Sequence, residues 1–260
     1  MEKEKIVYYE TEQDDFTNNE NLKLKIIDEN YKYLNRNIFW KILSFCLYRF
    51  IMKPFAYVYM KMKFDFEIEN KKVLKEAKEK GAFFYLNHTQ TLGDALIPNL
   101  LEYIRKVYVV IHPDNVSMPF LGKIAELSNG LPTPVNAKAA KNFMNAITKC
   151  IENKNFLAIY PEAHVWDYYT KIRDFKEESF RYPAKTRAPT YAVTTTYRKR
   201  KNKNPRIVSY VDGPFYPDKN KSYAEQKIEL RNKVLDAMNE RAKTSDIEYI
   251  RYVKKGEIAW

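Results

Sequence analysis

The chain has 260 residues, 45% of them hydrophobic and 30% charged, with a mean hydropathy of −0.58. That is enough apolar material for one sizeable core and too much charge for a polytopic membrane protein. The formal charge of +12 is uneven: residues 1–20 hold two lysines against seven acidic residues, net −5, leaving +17 on the remainder. Such a basic body points to an anionic partner, either nucleic acid or an anionic membrane surface. Cys46 and Cys150 lie far apart with no paired spacing, which excludes a disulfide framework or cysteine metal cluster and implies free thiols in a reducing compartment. The first residues carry no secretory signal, so the expected place is the cytoplasm or the cytoplasmic face of a membrane.

In chain order, residues 1–35 read as an acidic tail or short docking segment. Residues 36–62 are the most apolar and aromatic stretch, interrupted by Arg36, Lys41, Arg49, Lys53 and Lys61 and broken at Pro54. A spanning helix needs about 20 predominantly apolar residues, and these charges fit a helical segment lying in the membrane interface, with long cations reaching the headgroups. The competing reading is a buried aromatic core helix. Residues 63–260 then form the main domain. Phe64–Glu69 alternates like a half-exposed strand, and Lys71–Lys80 is a short charged helix stopped by Gly81. Ala82–Leu86 is a continuous apolar run, as in a strand covered on both faces. A polar turn follows at Asn87–Gly93, and a helix starts at Asp94. Further strands are expected at Val107–Ile111, Phe156–Tyr160, Ala188–Tyr197 and Ile207–Val211, with helices at Ala137–Cys150 and Ala224–Ala242. In the last of these, Ala224, Ile228, Leu235, Met238 and Ala242 form the apolar stripe. Strands alternating with helices predict an α/β fold: a mixed, largely parallel sheet flanked by helices.

In open α/β sheets, ligands bind beyond the carboxyl ends of the strands. Two buried runs here end in polar groups, FFYL-NHTQTLGD and FLAIY-PEAH, and deliver His88, Asp94, Glu162 and His164 to one sheet edge. An imidazole whose second nitrogen is held by a carboxylate is a general base with a fixed tautomer. The chain has no GxSxG, GxGxxG or P-loop, and only six glycines. An unaided His88–Asp94 pair therefore suits direct attack of a substrate hydroxyl on an activated acyl carbonyl, without an acyl-enzyme. Asp94 has a second reading as a helix-start residue, since Thr91-x-x-Asp94 resembles a capping box. Glu162 has one as a helix anchor. His164 reads as a loop histidine, His112 as a strand-end structural residue, and the basic run 198–206 as a solvated loop with a secondary membrane or donor-phosphate role.

These residues resemble the glycerolipid acyltransferase family that includes the lysophosphatidate (1-acylglycerol-3-phosphate) acyltransferases. Its first block, Asn-His, four residues, then Asp, is similar to Asn87-His88-TQTLG-Asp94. Its Phe-Pro-Glu-Gly-Thr-Arg block is matched by Tyr160-Pro161-Glu162-Ala163-His164-Val165, with Phe175-Lys176 where the family has Phe-Lys. Phe120-Leu121-Gly122 with Gly130–Asn136 resembles the second block, and Ala188-Pro189-Thr190-Tyr191-Ala192-Val193 the fourth. The resemblance implies an O-acyltransferase in which His88, oriented by Asp94, deprotonates a lysolipid hydroxyl that attacks acyl-CoA or acyl carrier protein. It implies substrate contacts from Asn87, Glu162, Arg173 and Lys176, an anionic membrane as partner, and no cofactor beyond the acyl donor. Two departures stand out. Five residues, not four, separate His88 from Asp94, an insertion for the loop and Gly93 to absorb. Both arginines expected to grip the acceptor's phosphate are absent, with Val165 at one place and Asn136 or Lys138 at the other; Lys171, Arg173 and Lys176 are the available replacements. The other readings are a family member that binds lipid without turnover and a basic nucleic-acid-binding protein. The latter lacks any helix-turn-helix, RNA-recognition or zinc-finger pattern.

Overall fold

The structure is a computed structural model that describes residues 5–16, 23–35, 37–201 and 203–256; Arg36 and Asn202, named above within basic stretches, lie outside them. In chain order it contains β1 (Lys5–Tyr9), α1 (Ile38–Cys46), α2 (Lys53–Phe64), β2 (Glu67–Glu69), β3 (Ala82–Leu86), α3 (Gly93–Leu101), β4 (Val107–Ile111), α4 (Pro113–Ser117), α5 (Leu121–Leu127), β5 (Gly130–Pro132), α6 (Ala137–Glu152), β6 (Phe156–Ile159), α7 (Arg181–Thr186), β7 (Thr190–Arg198), β8 (Arg206–Phe215), α8 (Tyr223–Ala242) and β9 (Ile250–Lys254). A six-residue π-helical stretch joins α1 to α2.

Seven strands form one sheet in the order β2-β8-β7-β3-β6-β4-β5. Five of them run parallel, while β8 is antiparallel to β7 and β2 follows β8. This is the mixed, largely parallel sheet expected. Strand β3 shows why its sequence has no polar alternation. Ala82, Phe84 and Leu86 face a core with α2 and α3, while Phe83 and Tyr85 face a second core with α6 and α8. A strand covered on both faces has no solvent side to spend on polar residues.

Three expectations need correction. Phe64 does not open a strand: it closes α2, with Ala56, Met60 and Phe64 buried at helical four-residue spacing and Asp65 left-handed at φ 48°. The period-two reading overlooked that Phe64 also belongs to this stripe. In α8 the expected stripe holds only in part: Met238 is buried and Leu235 packs on the core, but the other buried residues are Leu230 and Val234, and Ile228 is exposed. Finally, the segment expected as an acidic tail holds β1, which pairs in parallel with β9. That two-stranded ribbon packs on Trp166, whose ring lies 4.8 Å from Tyr9 and 4.9 Å from Tyr252.

The α1–α2 run has two faces. Ser44, Tyr48, Lys53, Ala56, Met60 and Phe64 are buried, whereas Phe39, Ile42, Phe50, Ile51, Val58 and Met62 are more than half exposed. Lys53 is buried yet satisfied: its Nζ donates to the carbonyls of Glu102 (2.6 Å) and Tyr103 (2.7 Å) and lies over the Tyr48 ring. Burial pushes its ammonium down to about 8. Among the described residues no helix is long and apolar enough to cross a membrane.

Candidate active site

The two-residue period of β3 continues past its end and places His88 on the face that carries α3. Asp94 sits in the first turn of that helix. The two meet: His88 Nδ1 lies 2.7 Å from Asp94 Oδ2, with the imidazole 22% exposed and the carboxylate 3% exposed. Nδ1 is thereby occupied and Nε2 is the nitrogen left to exchange a proton. Asp94 Oδ2 also accepts the Gln90 N–H at 2.9 Å. Burial pushes the Asp94 carboxyl up, while the bond to His88 and the Gln90 amide pull the other way. The capping-box reading does not hold, since the Thr91 hydroxyl and amide turn instead to Asp167.

The extra residue between His88 and Asp94 is taken up in a loop that doubles back on itself. The Asp94 amide donates to the Gln90 carbonyl at 2.9 Å. A Cβ on Gly93 would stand 2.9 Å from Gln90 Cβ, so glycine is needed for close approach rather than for unusual dihedrals. The loop is locked from behind by Tyr197, whose hydroxyl lies 2.9 Å from the Thr89 carbonyl and accepts from Gln90 Nε2 at 3.1 Å.

The other predicted site residues are placed differently from their expected roles. Asn87 is buried, and its amide is spent on β7: Nδ2 donates to the Thr195 carbonyl (3.0 Å) and Oδ1 accepts the Thr195 N–H (2.7 Å). It joins two strands, and its buried amide is turned to β7. Glu162 is not a helix anchor. It accepts the backbone N–H of His88 at 3.0 Å and of Arg173 at 3.2 Å, and pairs with the Arg173 guanidinium at 3.0 Å. Burial pushes its carboxyl up against the pull of Arg173. Arg173 itself is 1% exposed, donates also to the His164 and Glu12 carbonyls, and covers the Trp166 ring at 4.8 Å. A guanidinium so enclosed braces Glu162 and is closed to a substrate phosphate. Spacing and charge cannot reveal that, because a list of cations carries no burial. Lys171 and Lys176 are exposed, and neither bonds to the dyad or to Glu162. Asn136, at one missing-arginine place, caps α6 through the Ala139 N–H. His112 likewise caps α4, and His164 faces Asp15 at 3.2 Å.

Ala163 occupies φ 67°, a left-handed conformation that glycine adopts freely and alanine only at a cost of roughly 1–2 kcal/mol. One residue missed from sequence is Tyr160. Its ring centroid lies 4.5 Å from that of His88, and its hydroxyl donates to the Asp94 carbonyl at 2.5 Å. A separate cleft of about 1250 Å³, between residues 29–35, α1 and α6, contains none of the dyad residues.

The sequence profile of the Acyltransferase family matches residues 65–197, which span the dyad, Glu162, Arg173 and most of β7. Among solved structures, the chain is similar to the crystal structure of the 1-acyl-sn-glycerophosphate (LPA) acyltransferase PlsC from Thermotoga maritima. That match has a TM-score of 0.55 and 15% identity over 82% of this chain and 86% of that one, and it shows a shared fold. A match to the Euglena gracilis mitochondrial ATP synthase has a TM-score of only 0.20, at 12% identity over 80% of this chain and 72% of that one, and carries no structural meaning. No curated protein matches by sequence.

Proposed function

The chain belongs to the acyltransferase family, and from that premise we propose that it moves a fatty acyl group from a thioester donor, acyl-CoA or acyl carrier protein, to the hydroxyl of a lysophospholipid or related glycerolipid. The observation that carries this reading is the 2.7 Å contact between His88 Nδ1 and the buried Asp94 carboxylate at the carboxyl edge of a parallel sheet. His88 Nε2 takes the acceptor's hydroxyl proton as the oxygen attacks the thioester carbonyl. The tetrahedral adduct collapses, the C–S bond breaks, and the imidazolium returns its proton to the departing sulfur, which leaves as the thiol and restores the neutral imidazole. Asp94 keeps the imidazole in the one tautomer able to do this. The acceptor class is supported by the similarity in fold to a 1-acyl-sn-glycerophosphate acyltransferase.

With palmitoyl-CoA or palmitoyl-acyl carrier protein as donor and vesicles containing lysophosphatidate or a neutral lysolipid as acceptor, thiol release is expected with at least one pairing. His88→Ala should lower it by roughly 10²–10⁴, the usual worth of a positioned general base. Turnover in His88→Ala within threefold of the parent chain would end the proposal. Vesicle binding without thiol release from any pairing would favour a lipid-binding role instead.

The membrane surface is proposed as the partner of the outer face of α1, the π-helical stretch and α2, a run on which Phe39, Phe50, Ile51 and Met62 are exposed together with Lys41 and Lys61. Deleting residues 36–62 is a poor test, because Ala56 and Met60 belong to the core. The triple change Phe39→Ser, Phe50→Ser, Ile51→Ser leaves the core intact and removes apolar area worth about 1.5–3 kcal/mol per side chain when fully buried. It should weaken co-sedimentation with anionic vesicles at least about tenfold, at unchanged Tm. Unchanged sedimentation would rule this face out.

A further inference from the structure

Helix α3 contains a proline at position 98. Proline has no backbone N–H, so the carbonyl four residues earlier loses its intrahelical donor. That carbonyl belongs to Asp94. The group left over is therefore on the residue whose carboxylate holds His88, in a helix turn whose side chains Asp94, Ile97 and Pro98 are all buried. A buried carbonyl without a donor is costly, and a segment carrying one tends to shift until it finds a partner.

The partner is supplied from the neighbouring strand. Tyr160 stands one residue beyond β6 on the same face of the sheet, and its hydroxyl donates to the Asp94 carbonyl at 2.5 Å. The same ring lies against the His88 imidazole, centroids 4.5 Å apart and planes inclined by 31°. One side chain thus touches both members of the dyad: the ring limits the tilt of the imidazole, and the hydroxyl holds the turn that aims the carboxylate. Where the resembling family carries Phe in this block, this chain carries Tyr. We propose that Tyr160 is a positioning residue for the dyad, its hydroxyl replacing the helix hydrogen bond that Pro98 withholds from Asp94.

The inference rests on the general-base reading of His88, and the test separates the two. In the thiol-release assay, Tyr160→Phe keeps the ring and removes the donor; kcat should fall about tenfold with KM changed by less than about twofold, since misplacement of a catalytic group acts on the chemical step. Tyr160→Leu removes the ring as well and should cost about 100-fold. The decisive comparison is a double-mutant cycle with Pro98→Ala, which returns an N–H to the Asp94 carbonyl. In the Pro98→Ala background, Tyr160→Phe should cost less than about threefold. A readout independent of turnover is the far-downfield proton resonance of an imidazole Nδ1–H held by a carboxylate. With three histidines in the chain, it is assigned by its loss in His88→Ala. It should broaden or vanish in Tyr160→Phe and return in the double variant. Wild-type kcat and a sharp resonance in Tyr160→Phe overturn the inference, as does a Tyr160→Phe loss equally large in both backgrounds. Full activity in His88→Ala instead overturns the general-base reading, and the resonance then still decides whether Tyr160 holds the pair.

Discussion

Asp94→Asn is expected to reduce kcat by roughly 10²–10⁴ while leaving the fold intact, the usual worth of a positioned general base. His88 Nδ1 and the Gln90 N–H both bond the same oxygen, Asp94 Oδ2. An asparagine whose oxygen takes that place keeps both bonds and loses the negative charge that steadies the imidazolium formed when Nε2 takes the substrate's proton. An asparagine turned the other way offers His88 Nδ1 a donor, which drives the ring proton onto Nε2 and leaves no base there. Single-turnover thiol release by the purified variant measures the loss directly; a loss below tenfold would mean that Asp94 does not act on the base.

The same substitution should raise stability at neutral pH. Burial holds the Asp94 carboxyl above its ordinary value of 3.8 in the folded chain. A carboxyl raised in this way contributes stability that is present in full below 3.8 and lost as pH rises through the folded value. Asparagine has nothing to lose over that interval. The Tm of Asp94→Asn minus that of the parent chain should therefore grow as pH increases across the carboxylate range. A variant less stable than the parent at pH 7 would show that the carboxylate's hydrogen bonds outweigh its desolvation.

Much of this arrangement was legible in the residues. The unbroken apolar runs at 82–86 and 156–160 announced buried strands, and a polar cluster after each located the sheet edge where His88 and Asp94 meet. Less was legible where burial, not residue type, decides. Arg173 reads as a cation for phosphate because sequence shows its charge and not the Glu162 carboxylate and Trp166 ring enclosing it. Asn87 reads as a substrate contact because its partner, the Thr195 backbone, is 108 residues distant. The β1–β9 ribbon was hidden for the same reason: two short, half-exposed strands at opposite ends of the chain define a partner only through each other. The Pro98–Tyr160 relation was half visible, since a proline four residues into a helix beginning at Asp94 orphans a nameable carbonyl. Which side chain answers it required coordinates.

Arg173→Met is expected to destabilise the chain by about 3–5 kcal/mol, the cost of removing one partner from a buried ion pair and leaving the other's charge uncompensated. The burden falls on Glu162, whose oxygens would keep the His88 and Arg173 amide N–H groups and lose the guanidinium at 3.0 Å. The His164 and Glu12 carbonyls lose donors as well. The pH dependence identifies the cause. Burial already raises the Glu162 carboxyl and Arg173 opposes it, so deleting the arginine moves it further up. The stability of Arg173→Met should consequently be best at low pH and fall as pH rises through the new folded value. Adding Glu162→Gln removes the stranded charge and should recover part of the loss, a coupling that denaturant melts of the two single variants and the double can measure. Activity should follow stability, because Glu162 grips the backbone of the residue that carries the base. If Arg173→Met instead melted like the parent chain and only raised KM for a phosphate-bearing acceptor, Arg173 would be a substrate contact after all, and its enclosure by Glu162 and Trp166 would have to open during turnover.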